Sequence, residues 1–166
     1  MLHTLRRVAH EHHERLVKHA DELPALGDMI LVTPETELRP RLDQVGEFLT
    51  GTLIPHMEVA EPAIYPELER LLQNRLSMTP MRREHTEIRR LVAEYLRLKQ
   101  VTRDAKHTLG KAVALRRVVF QLYTLLKIHI GEEELYIHII DREAAAEATE
   151  AMAAALEHHA VAGSEG

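Results

Sequence analysis

Apolar residues recur along this chain at alternating intervals of three and four, the spacing that lines one face of an α-helix. Leu2, Leu5, Ala9, His12, Leu16, His19 and Leu23 share such a face in a first stretch that ends at Pro24. After a loop containing Gly27 and Pro34, a second stretch repeats the rhythm with Leu42, Val45, Leu49, Thr52, His56, Val59 and Ala63. Pro55, Pro62 and Pro66 interrupt it. Each removes a backbone donor and crowds the preceding turn, which predicts a kinked second helix with its kinks around His56. Ser77, Thr79 and Pro80 announce a third helix, a capping hydroxyl followed by proline in the first turn, with the stripe Met81, His85, Ile88, Val92 and Tyr95. A polar linker over residues 101–108 leads to the fourth and strongest stripe: Leu115, Val118, Leu122, Leu125, His129, Glu133, Tyr136 and Ile140. The Ala/Glu-rich residues 142–160 have high helix propensity but few large apolar side chains, which predicts a peripheral fifth helix before a frayed end at 161–166.

No run of alternating β-formers reads as a strand, so the fold class is all-α. Four striped helices bury their stripes most simply as an antiparallel up-and-down four-helix bundle, here over residues 1–140, with 141–166 as a C-terminal helix and tail. A chain of 166 residues fits one domain whose core needs neither disulfides nor a partner.

Composition narrows the chemistry. The net charge of −5 supplies no basic field for nucleic acid or anionic membranes, so neither is expected as a partner. Without cysteine there are no thiolate metal sites, iron–sulfur clusters or cysteine nucleophiles, and any metal must be held by nitrogen and oxygen. No apolar run approaches membrane-spanning length and the first residues lack a signal peptide's apolar core, so a cytoplasmic protein is expected. There is no Gly-rich phosphate loop and no G-x-S-x-G. What stands out is 12 histidines beside 2 Phe, 4 Tyr and no Trp.

Each of the four helices places a histidine within its own apolar stripe: His12 or His13, His56, His85 and His129. One such residue reads as a core histidine satisfied by carbonyls. Four of them, on helices that face one another, read as a metal site, because imidazoles buried without partners are costly and a shared ion relieves all of them together. Glu133 follows His129 by four residues, one turn along the same face, and a carboxylate on a buried stripe is almost never left unpaired.

These residues resemble the haemerythrin-like (HHE cation-binding) domain. The likeness covers about residues 1–140 and rests on the words EHHERLVKHADEL, LIPHMEVAEPAIYP, REHTEIRRL and HIGEEELYIHI. It implies a four-helix bundle around a non-haem di-iron centre, with two irons per chain and the ligands His13, His56, Glu61, His85, His129 and Glu133. In that family the first and third helices carry E-H-x-x-(I/L). His85 with Ile88 matches it, and His13 with Leu16 matches better than His12, although the stripe spacing points to His12. In the second helix the family's H-x-x-x-E-E-x-x-L-F-P maps onto His56–Pro66 and puts Ala60 where a bridging glutamate belongs. Glu61 replacing it, a tyrosine or water filling the gap, and a mononuclear or degenerate site are the three readings this leaves.

None of the stripe histidines has a glutamate three residues before it, so the Glu-x-x-His pairs of ferritin-like sites are missing. A His-rich centre, with Ala60 and Gly131 leaving space beside it, is expected to bind O2 or to sense or detoxify peroxide or nitric oxide. No catalytic acid or base is singled out. The alternative is a metal-poor helical interaction module derived from such a domain, its histidines structural. A third reading, a zinc or nickel buffer using His3, His10, His19, His107, His158 and His159, implies no single site.

Overall fold

The computed structural model describes residues 13–104 and 109–162, excepting the side chains of 101–104, 137, 143–144 and 147–162. The elements are α1 (13–20), α2 (Leu23–Met29), α3 (Glu35–Phe48), α4 (Ile54–Val59), α5 (Tyr65–Leu71), α6 (Thr79–Asp104) and α7 (Leu109–Ala162). Among the described residues there is no strand, and no helix is long and apolar enough to cross a membrane.

Pro24 does not end the first arm. A turn at 21–22 interrupts it, and helix resumes at Leu23 with Pro24 in the first turn, where its missing N–H is one of the donors a helix leaves unpaired anyway. Leu23, Leu26 and Gly27 of this resumed helix are buried.

The second arm, α3 to α5, contains the kinks expected from its prolines. They take the form of two widened turns flanking the short α4 that carries His56. At Leu49–Leu53 the Ile54 N–H reaches back five residues to the Leu49 carbonyl, and at Ala60–Ile64 the Tyr65 N–H reaches the Ala60 carbonyl. Pro55, Pro62 and Pro66 cannot make the ordinary four-back bond, and an inserted residue in each turn is how the helix accommodates them. Thr50 donates its hydroxyl to the Gly46 carbonyl at 2.9 Å, satisfying an acceptor at the first widened turn.

The Ala/Glu-rich segment expected as a separate fifth helix is helical, but it continues the fourth without a break. At ~1.5 Å per residue, the 54 residues of α7 span roughly twice the length of the 26-residue α6.

Where neighbouring arms touch, residue numbers descend along one as they ascend along the other, so the arms run antiparallel. His13 meets Ile130, Lys127 meets Asp21 and Arg116 meets Gly27 along α1, α2 and α7. Tyr95 meets Leu42 while Arg82 meets Glu69 along α6 and the second arm. The core divides in two. The larger part joins Leu16, Leu23, Leu49 and Leu53 to Ile88, Tyr95, Leu115 and Leu122; the smaller gathers Ala60, Tyr65, Leu68, Met78, Met81 and Ile140. On α7 the buried residue at one turn of the stripe is Leu126 rather than Leu125, which is only partly covered. The candidate histidines lie between the two parts.

Candidate metal centre

α4 presents His56, α6 presents His85, and α7 presents His129 and Glu133 one turn apart; all four are buried. The His56 Nε2 lies 3.0 Å from Glu133 Oε1, and the His129 Nε2 lies 3.5 Å from the same oxygen. The Nε2 atoms of His85 and His129 are 3.1 Å apart, and the Tyr65 hydroxyl is 3.0 Å from His85 Nε2. Three imidazole nitrogens, one carboxylate oxygen and one phenol oxygen thus converge from three arms of the bundle.

The opposite edges of two rings are tied to carboxylates. His85 donates Nδ1–H to Glu61 at 2.8 Å, and the same oxygen of Glu61 accepts from Arg89 at 2.8 Å. His129 donates Nδ1–H to Glu84 at 2.8 Å. A carboxylate at Nδ1 selects the tautomer and holds the ring so that Nε2 points inward. Burial, reinforced by repulsion from His129, pushes the His85 imidazole down to about 4, so near neutrality it is uncharged and its Nε2 lone pair faces Tyr65 and His129. Burial also pushes His129 down, but its bonds to Glu133 and Glu84 outweigh that and raise it overall. Burial raises Glu133, yet the His129 and His56 bonds hold its carboxyl well below the usual range. Burial, then the charges of Glu133, Glu61 and Glu84, keep the Tyr65 hydroxyl protonated.

This donor set fits a transition-metal ion. Nitrogen and oxygen ligands held about 2.1 Å from a common ion lie about 3 Å from one another, the spacing of the inward atoms here. His56, His129 and Glu133 each offer an atom within 4.8 Å of the others'. Imidazole with carboxylate suits iron, zinc, manganese or copper, while the absence of thiolate excludes none of them. Glu84 belongs to the layer behind the ligands. Its replacement by Gln is predicted to weaken metal binding by about 10- to 100-fold with little loss of helicity, measured by competition against a chelator.

His13 donates Nε2–H to the Ile130 carbonyl at 3.1 Å and joins the wall of a cavity of about 30 Å³ that His56, Glu133, Tyr65 and Tyr136 also line. That volume takes a water-sized guest. His12 lies outside the described residues. Glu61 is not among the converging atoms; it stands behind His85, where Arg89 draws it outward. Ala60 is buried beside Tyr65, but Gly131 faces away from the site with nothing near it. His19 stacks on Phe48 at 4.7 Å between ring centroids, away from the cluster.

Two contributors are not evident from the sequence. Glu84, whose spacing suggests an ion pair with the helix-3 arginines, instead holds His129, while Arg82 pairs with Glu69 and Arg90 with Glu87. Its one signal is the E-H word that ends at His85. Tyr65, expected mainly as packing, turns its hydroxyl into the centre, and only its place as the aromatic before Pro66 hints at this.

The model of the hemerythrin HHE cation binding domain matches residues 4–138. No curated protein and no solved structure matches the chain significantly. With the match covering most of the chain and a buried His/Glu cluster at its heart, this metal-binding helical protein belongs to the hemerythrin HHE cation-binding domain family.

Proposed function

We propose that the chain is a non-haem iron protein whose buried centre holds two irons and binds O2, or senses or detoxifies peroxide or nitric oxide. The observation that carries this reading is the convergence of His56, His85, His129 and Glu133 beside a cavity sized for a small guest. Iron supplies there a redox-active ion with a coordination position that a small ligand can enter. Glu133, within reach of both His56 and His129, is the natural carboxylate bridge. His13, on the same cavity wall, joins the set when its ring exchanges the Ile130 carbonyl for metal. Glu61 and Glu84 serve as partners of the imidazole Nδ1–H groups.

The protein's own part is positioning and exclusion. Ile64, Leu68 and Ile140 give the cavity apolar walls that disfavour charged guests and bulk water, while the hydroxyls of Tyr65 and Tyr136 lie at its edge. Iron-loaded, reduced protein titrated anaerobically with O2, hydrogen peroxide or nitric oxide is predicted to change its visible spectrum with saturation at one guest per centre. A spectrum indifferent to all three, in protein shown to contain iron, would refute the reading.

A further inference from the structure

The glutamate missing at position 60 leaves the second arm one oxygen donor short of the family pattern, and the structure shows what stands in that space. In an undistorted helix, at about 100° per residue, Tyr65 would lie roughly opposite to His56, facing away from the bundle. The widened turn at Ala60–Ile64 absorbs one residue and rotates the next turn back by roughly that angle. Tyr65 is thereby buried on the inner side, next to Ala60, with its ring stacked on His85 at 5.4 Å and its hydroxyl 3.0 Å from His85 Nε2. Arg82 lies over the outer face of the ring at 5.5 Å, fixing its tilt.

Resting on the iron reading above, we infer that Tyr65 is itself a metal ligand, its phenol oxygen serving the ion bound by His85 and His129 in place of the glutamate replaced by Ala60. The hydroxyl oxygen, His85 Nε2 and His129 Nε2 follow one another at 3.0 and 3.1 Å, the separation of adjacent ligands on one ion. On coordination the phenol O–H bond breaks, its proton leaves to solvent and an oxygen–metal bond forms, with no change of oxidation state. The widened turn, otherwise a bare accommodation of Pro62 and Pro66, then acquires a purpose, since it is what aims Tyr65 inward.

A phenolate on ferric iron has a visible charge-transfer band whose excitation enhances the vibrations of the tyrosine ring in the resonance Raman spectrum. The full chain, ferric-loaded, is expected to show both. Tyr65→Phe, which keeps the ring and its packing, should lose both and bind iron more weakly by at least tenfold while retaining its circular dichroism. Tyr136→Phe, at the other side of the cavity, should keep the band. A wild-type spectrum with iron present but no phenolate signature would overturn the inference and leave the iron centre standing. So would a band that survives in Tyr65→Phe or disappears in Tyr136→Phe. Wild-type protein that takes up no iron would remove both readings. Since the wild-type and Tyr136→Phe spectra are decisive by themselves, a Tyr65→Phe chain that failed to fold would not shield the inference.

Discussion

His129→Ala is expected to abolish stoichiometric iron binding and to leave the helical content nearly intact, and His85→Ala should do the same. Each imidazole enters the cluster from its own helix, and its Nδ1 partner is already in place, Glu84 for His129 and Glu61 for His85. Removing either ring takes away a centrally placed nitrogen that no neighbouring side chain can replace. The helices themselves are held elsewhere, by the larger core in which Ile88, Val92 and Tyr95 meet Leu115, Val119 and Leu122. Stability nevertheless falls with the metal: an ion present at a hundredfold excess over its Kd stabilises the fold by about 2.7 kcal/mol. Elemental analysis and circular dichroism on the same samples check the two halves of this expectation. Variants that retain full iron would show that the centre lies elsewhere.

The metal-free protein should lose about 3 kcal/mol of stability on Glu133→Ala, because a buried charge deprived of its partner is far more costly than the pair is beneficial. Glu133 accepts from two imidazoles on different arms, with its side chain only 10% exposed, and it sits where the two parts of the core meet. Without it His129 keeps Glu84, but His56 loses the carboxylate that joins α4 to α7. Glu133→Gln, which preserves shape and one acceptor, should fall between wild type and Ala. Urea unfolding with unchanged slope would report these differences as shifts in midpoint. A loss under about 1 kcal/mol for Glu133→Ala would mean that the carboxylate does not bridge the arms as described.

Much of this arrangement is legible in the sequence because it depends on helical periodicity. A stripe read at intervals of three and four names the buried face without further information, so His56, His85, His129 and Glu133 can be placed inward from spacing alone. The break in the second arm is also legible, since proline cannot donate. What periodicity cannot give is how a helix recovers after a break. The widened turns shift the register by a residue, which separates Glu61 from the converging atoms and brings Tyr65 among them. Contacts that depend on two helices at once are equally hidden: Glu84 serves His129 across the interface, although its neighbour His85 marks its own helix as part of the site. The continuity of α7 is hidden for a different reason. The change from large apolar to Ala/Glu-rich composition near residue 141 reads as a boundary, but alanine and glutamate favour the helix as strongly as the residues before them.

The most direct test is the number of metal atoms per chain, with their identity, in protein purified aerobically without chelator and again after reconstitution with ferrous iron. The account predicts about two irons per chain, held in wild type and lost in His129→Ala. About one iron would contradict the two-ion centre while keeping His85 and His129 as a mononuclear pair. No stoichiometric metal under either condition would contradict the central claim and leave the inward-facing histidines as structural residues of a helical interaction module.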